Sequence, residues 1–298
     1  MEQGTTDLKG RVGKRKAGGA ANGSQPGKGV AKPRVVVVMP AYNAARTLEK
    51  THGDLPKDVV DQVILVDDAS QDDTADIARQ LGLDTIVHVQ NKGYGGNQKT
   101  CYLEALSAGA DVVVMVHPDN QYDATSIPKM IKPIVEGDAD LVLGSRLLDG
   151  RDAALRGGMP IWKYISNRFL TLTENICLGT NLSEAHTGLR AYSRRLLTTI
   201  PFLLNSDDFV FDSEVIAETV AFGFRIAEVP VPTRYFPEAS SVNFRRSVIY
   251  GMATLNVARK FVLNKWGVRR YPIFNQRLPN VVSRYHKERI FGKESGQS

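Results

Sequence analysis

The 298-residue chain is 42% hydrophobic and 23% charged, with two cysteines, Cys101 and Cys177. That balance suits a globular fold with a sizeable core, and two lone cysteines exclude a disulfide framework or a zinc cluster. The net charge of +6 is unevenly spread. Residues 1–34 hold eight Lys/Arg against two Asp/Glu, residues 245–298 hold twelve against two, and 35–244 is acidic by ten charges. An acidic body argues against a nucleic-acid-binding domain, which needs a basic face for phosphates. The basic ends suit either an anionic membrane surface or solubilising tails.

No uncharged apolar stretch approaches the ~20 residues of a spanning helix. The first residues lack the apolar core of a signal peptide. The expectation is a cytoplasmic protein, peripheral on the inner face of the membrane.

Residues 1–33 are rich in Gly, Lys, Ala and Ser and read as a disordered basic tail. From Arg34 the pattern changes. Val35–Met39 is a β-branched run ended by Pro40, a buried strand. A helix is expected over 44–53, a strand over 63–66, and a helix over 74–81 entered through the Asp- and Ser-rich turn 68–73. A strand over 86–89 precedes a helix over 96–108. The fourth strand, 112–116, is followed by a helix near 125–136 and a strand over 140–143. Strands continuously apolar and alternating with helices predict a mostly parallel α/β sheet covered on both faces. Further on, 209–222 and 247–266 read as helices. The latter is apolar around most of its circumference and presents Arg259, Lys260, Lys265, Arg269 and Arg270 outward, with Trp266 suited to a membrane interface.

In such a sheet, ligands bind beyond the carboxyl ends of the strands. Those ends carry Tyr42-Asn43, Asp67-Asp68, Asn91-Lys92-Gly93 and His117-Pro118-Asp119-Asn120-Gln121. Four successive strands therefore deliver polar residues to one edge. Gly93-Tyr94-Gly95-Gly96 lacks the spacing and position of a dinucleotide-binding loop.

These elements, with Met39-Pro40-Ala41-Tyr42-Asn43, Val66-Asp67-Asp68-Ala69-Ser70, Gly144-Ser145-Arg146, Thr187-Gly188-Leu189-Arg190 and Glu228-Val229-Pro230-Val231, occur in a specific order. From about Arg34 to Arg246 the chain resembles the inverting family-two glycosyltransferases of the GT-A fold, in particular the dolichyl- and polyprenyl-phosphate sugar synthases. The resemblance implies a catalytic domain over 34–246, with 247–298 as a basic helical extension. It implies a nucleotide-diphosphate-sugar donor, GDP- or UDP-linked, and a polyprenyl or dolichyl phosphate acceptor.

Asp119 and Gln121 resemble the metal-binding pair, for Mg²⁺ or Mn²⁺ against the diphosphate. The family's additional Asp two residues earlier is His117 here; imidazole tolerates Mn²⁺ better than Mg²⁺, so the departure leaves the metal preference open. Pro40, Ala41, Tyr42, Asp67 and Asp68 resemble the nucleotide pocket; an Asp of the pair could instead cap a helix. Lys99 is implied near the donor, although the glycines before it equally suit a tight turn and close helix packing. Arg146, Arg190 and Arg234 are candidates for gripping phosphate. Glu184 stands where the family often has Asp. Asp212 and Glu214 occupy the place of acids near the acceptor, as a base for a sugar hydroxyl or as first-turn acids answering the helix dipole. A lipid phosphate needs no base. A loop over 236–246 is expected to close on the donor.

Three other readings remain: transfer to a soluble or glycan acceptor, a nucleotidyltransferase, and a non-catalytic nucleotide-sugar-binding protein. The second usually carries a Gly-rich, Lys-containing loop after its first strand, where this chain has Pro40-Ala41-Tyr42-Asn43.

Overall fold

A computed structural model describes residues 32–150, 158–233 and 244–277. The first half runs β1 (Val35–Ala41), α1 (Leu48–Gly53), β2 (Gln62–Asp67), α2 (Thr74–Gln80), β3 (Asp84–Val87), α3 (Tyr94–Ser107) and β4 (Val112–Met115). The second runs α4 (Ile127–Val135), β5 (Leu141–Ser145), α5 (Ile161–Leu178), β6 (Arg190–Ser193), α6 (Arg194–Thr199), α7 (Phe211–Ala221), β7 (Ile226–Pro230) and α8 (Phe244–Lys265). The sheet order is β3-β2-β1-β4-β6-β5-β7. All pairings are parallel except those of β6, which runs antiparallel to both β4 and β5.

All seven residues of β1 are buried because the strand is covered on both faces. Val36 and Val38 face a core with Cys101, Tyr102, Met115, Phe211 and Phe261. Val35, Val37 and Met39 face the opposite core, with Leu65, Ala78, Val114 and Met130. Period-two alternation thus divides one apolar run between two layers. The third strand ends two residues earlier than expected, at Val87. The C-terminal helix begins three residues earlier, at Phe244. Helix α5 and strands β6 and β7 were not anticipated. The expected loop over 236–246 falls largely outside the described residues, as does Arg234.

Among the described residues no helix is long and apolar enough to cross a membrane.

One buried acid makes the fold sensitive to pH. Glu218 on α7 is fully buried and takes a hydrogen bond from Asn205 Nδ2 at 2.9 Å, while its Oε1 has no hydrogen-bond partner. Burial, with nearby Glu214 adding to it, holds the Glu218 carboxyl well above the usual carboxylate range. The folded chain therefore keeps a proton that the unfolded chain releases above about pH 4.3. Stability from this group is full below that pH and is lost as pH rises towards the folded value. Glu218→Gln, which cannot ionise, should unfold at a higher temperature than the parent, by a margin that grows from pH 4.5 towards pH 8. A margin independent of pH would show that Glu218 is ionised in the fold.

Candidate active site

The carboxyl ends of β1, β2 and β4 form the floor of the site, and two short loops are locked together over it. Asp67 closes β2 by accepting from Ser70 N at 3.0 Å and from the Ser70 hydroxyl. The same hydroxyl accepts from Asn43 N at 2.8 Å, and Asn43 Oδ1 accepts from Gln71 N at 2.9 Å. Asn43 and Ala69 both adopt positive φ, 52° and 60°, conformations that cost an L-residue energy and persist where the surroundings over-determine them. Ala41 O accepts from Asp68 N at 2.9 Å, which joins the ends of β1 and β2. Tyr42, just beyond, is half exposed and stands at the open edge.

Asp68 is committed inward. Its carboxylate accepts from Lys92 N at 2.8 Å and Gly93 N at 3.0 Å and lies 2.7 Å from His88 Nδ1. It thereby anchors the start of α3. Of the adjacent pair, neither caps α2, whose N-cap residue is Asp73.

The glycines that follow serve close packing. A Cβ at Gly93, whose φ is +84°, would lie 2.6 Å from Asp207 O, and one at Gly95 would meet Ser206 O. Gly95 N instead donates to Asp207 O at 2.8 Å. Lys99, expected near the donor, donates from Nζ to Asn205 O and to Asp207 Oδ1 at 2.7 Å. In this structure it fastens α3 to the 205–207 turn.

A chain of polar groups crosses the site behind the Asp119 loop. Arg190 is fully buried, with Nε donating to Thr187 O at 2.9 Å, and the two terminal nitrogens to Ala185 O and Asp212 O at 3.1 and 3.2 Å. Its guanidinium lies 3.4 Å from Asp212 Oδ2. Burial opposes its charge, but Asp212 and the tyrosines Tyr192, Tyr94 and Tyr102 hold its pKa above the usual value. Arg190 therefore does not reach out to grip a phosphate, as the sequence had suggested. It secures Asp212.

Asp212 accepts from Tyr94 Oη at 2.8 Å and from Gln98 Nε2 at 3.2 Å. Tyr94 Oη is 3.1 Å from His117 Nε2. Tyr94's single proton points at Asp212, so Nε2 of His117 carries the proton that reaches the tyrosine oxygen, and Nδ1 keeps its lone pair. Burial lowers the His117 pKa, against the pull of Asp119 and Asp212, so the ring is neutral near pH 7. It is wedged against Gly188, where a Cβ would lie 2.8 Å from Cδ2.

Glu214 is not part of this chain. It points to the other side of α7, accepts from Ser206 N at 2.7 Å, and is held above the usual carboxylate range by burial.

Asp119 sits on the loop after β4, with Oδ1 accepting from Gln121 N at 3.1 Å, while Asn120 takes φ 54° and reaches Asp54 Oδ2 at 3.1 Å. On the opposite wall, Glu184 accepts from Arg146 N and Nε at 2.7 and 2.8 Å and from Asn167 Nδ2 at 2.7 Å. Arg146 also reaches His186 O at 2.7 Å, and its guanidinium stands 5.8 Å from the Tyr122 ring centre. Lys163, on the first turn of α5, has a pKa lowered by burial and by Arg146, with Asp119 pulling upward. Asp119, Arg146 and Lys163 thus share one electrostatic environment. Sequence reasoning missed Lys163 and Tyr94. The first lies in a segment without a motif; the second sits inside the glycine run and was read only as part of it.

Among the described residues, no three His, Cys, Asp or Glu side chains form a cage able to hold a metal unaided. The loop offers the Asp119 carboxylate and the Gln121 amide, hard oxygen donors that suit a divalent cation drawing its other ligands from a diphosphate and water. The residues fit such an ion as a partial donor set.

The Arg190–Asp212 pair gives a stability prediction. Asp212→Ala leaves a buried guanidinium without its carboxylate and should cost about 3–5 kcal/mol in urea unfolding. The double variant Arg190→Met, Asp212→Leu should cost less than the sum of the two single changes. Strict additivity would show that the two side chains do not depend on one another.

Comparisons with known proteins identify the family and the fold. Residues 36–200 match the family model described as glycosyl transferase family 2. The chain is 32% identical over 246 residues to undecaprenyl-phosphate mannosyltransferase of Micrococcus luteus, covering 78% of this chain and 96% of that one. It is 28% identical to the UDP-N-acetylglucosamine–dolichyl-phosphate N-acetylglucosaminyltransferase of Methanococcus voltae, covering 67% and 86%. Among solved structures it resembles glucosyl-3-phosphoglycerate synthase from Mycobacterium tuberculosis, crystallised with Mn²⁺, uridine diphosphate and glucosyl-3-phosphoglycerate. There the TM-score is 0.59, with 21% identity over 80% of this chain and 82% of that one. The sheet is a GT-A fold, and the chain belongs to glycosyl transferase family 2 and is a glycosyltransferase.

Proposed function

We propose that this glycosyltransferase moves a sugar, with inversion, from a GDP- or UDP-linked donor to a polyprenyl or dolichyl phosphate, with Mg²⁺ or Mn²⁺ as cofactor. The observation that carries this reading is that both acids the sequence offered as bases are already engaged. Asp212 holds Tyr94, Gln98 and Arg190, and Glu214 holds the Ser206 backbone. A sugar hydroxyl acceptor needs a base within reach. A phosphate monoester is an anion at neutral pH and needs none.

The remaining groups suit that nucleophile. Lys163 would supply positive charge near Asp119, where the acceptor phosphate would meet the anomeric carbon, and Arg146, ion-paired with Glu184, would line the same wall. Tyr42, with the backbone at Pro40 and Ala41 and the Asp67–Ser70 turn, would line the nucleotide. Asp119 and Gln121 would hold the cation, which when bound neutralises charge developing on the departing diphosphate. The neutral His117, pinned through Tyr94, would keep the Asp119 loop at a fixed height over the sheet edge. The names of the relatives, which act on dolichyl and undecaprenyl phosphates, support the acceptor class. Residues 34–246 would form the catalytic domain and 247–298 a basic extension, in a cytoplasmic protein held peripherally on the membrane.

Incubation with labelled GDP- and UDP-sugars, polyprenyl phosphate and Mn²⁺ or Mg²⁺ should move label into the organic phase, and EDTA should stop it. Asp119→Ala should lower the rate by about a hundredfold or more while leaving the unfolding midpoint unchanged. Label that remains aqueous on a soluble acceptor would overturn the lipid acceptor, and an Asp119→Ala variant with most of its activity would overturn the cation site.

A further inference from the structure

Helix α5 carries apolar residues where a helix in water carries polar ones. Its packed face holds Asn167, Leu170, Thr171, Glu174 and Leu178. At about 100° per residue, Ile161, Ile165, Phe169, Leu172 and Ile176 fall in one arc diametrically opposite. Each of these five is between 58% and 74% exposed. They make a stripe about 22 Å long. Scattered exposed apolar side chains are ordinary, whereas a continuous stripe marks an interaction surface.

Helix α8 lies alongside, with Gly251 facing Leu170 of α5. Its first turns continue the patch through exposed Val248, Ile249 and Met252. Among the described residues of these two segments, the exposed charge has one sign. Residues 244–277 hold eight Lys/Arg and no Asp or Glu, and the only acid of α5, Glu174, is buried. The chain's two tryptophans also belong to this region. Trp162 opens α5, Trp266 follows α8, and they are 43% and 72% exposed. Exposed tryptophans, a cationic surround and an apolar stripe together have the composition of a surface lying in a bilayer interface.

We propose that the outward faces of α5 and α8 together form a seat on an anionic bilayer. The isoleucines, Phe169 and Leu172 enter the acyl boundary, and the arginines of α8 meet the lipid phosphates. A second copy of the chain fits less well, because a two-fold contact would set the same cations against one another. The seat rests on the lipid-acceptor reading for its purpose. It sets the first turn of α5 on the lipid surface, with Lys163 on the inward side of that turn, towards Arg146 and Asp119. A lipid-borne phosphate would then reach the site without leaving the membrane plane.

The test uses the full chain and vesicles of phosphatidylcholine with or without phosphatidylglycerol, in the absence of donor and acceptor. With phosphatidylglycerol present, tryptophan emission should shift to the blue and be quenched by brominated acyl chains. Part of the binding should survive high salt, since the stripe is apolar. Ile165→Ser with Phe169→Ser should weaken partition by roughly tenfold or more, while transfer to a detergent-dispersed short-chain polyprenyl phosphate is unchanged. Emission that does not move, or a double variant that binds like the parent, would overturn the seat. So would a dimer in light scattering that the double variant turns into monomer. Vesicle binding without sugar transfer to polyprenyl phosphate would leave the seat standing and remove the acceptor reading; the converse result would do the opposite.

Discussion

A guanidinium with no access to water must be answered from within the protein, and the site is arranged around that requirement. Arg190 opens β6, the one antiparallel strand of the sheet, and its side chain runs into the core. Three backbone carbonyls and the Asp212 carboxylate satisfy it. Losing such a partner costs several kcal/mol, so α7 and the turn before β6 are held in fixed relation. Tyr94 then transmits the position of Asp212 to His117, which stands at the end of β4. The geometry of the Asp119 loop is thus set from behind by groups that themselves need touch no substrate.

A second constraint comes from the glycines at the start of α3. They admit the backbone of 206–207 at distances no side chain tolerates, and Lys99 fastens the same turn. This brings α3 and α7 close enough for Tyr94 and Gln98 to reach Asp212. One close backbone approach and one buried ion pair together fix the polar groups behind the Asp119 loop. At the edge of the site lie Tyr42, Asp119, Gln121 and Lys163, with Arg146 paired to Glu184 in the adjoining wall.

The sheet up to β5 was legible in the sequence because strands buried on both faces leave unbroken apolar runs, as in Val35–Met39 and 112–116. The order of polar strand ends followed directly. The antiparallel β6 was not legible, since four residues containing Arg190 and Ser193 do not look like a central strand. Helix α5 was missed because it carries apolar residues on both faces, Leu170 and Leu178 inward and Ile161, Ile165, Phe169, Leu172 and Ile176 outward. That spread blurs the helical period. For Arg146 and Arg190, motif position did not say which way each side chain points. Arg146 stands at the wall of the site, whereas Arg190 is a brace. Asp68 and Lys99, which the resemblance offers to the donor, likewise turn their bonding atoms inward.

His117 shows how one replacement is absorbed. A carboxylate at that position would face Asp212 through Tyr94 and add to the negative charge around Asp119. A neutral imidazole removes that repulsion and donates to Tyr94 instead. Asp119 thus keeps its carboxylate without a second acid two residues before it.

The most direct measurement of that arrangement is the anomalous scattering of Mn²⁺ in crystals of the protein with a nucleoside diphosphate. The account predicts one peak within coordination distance of Asp119 and Gln121 and in contact with the diphosphate. A diphosphate bound without metal near that loop, or a manganese peak elsewhere on the molecule, would contradict it.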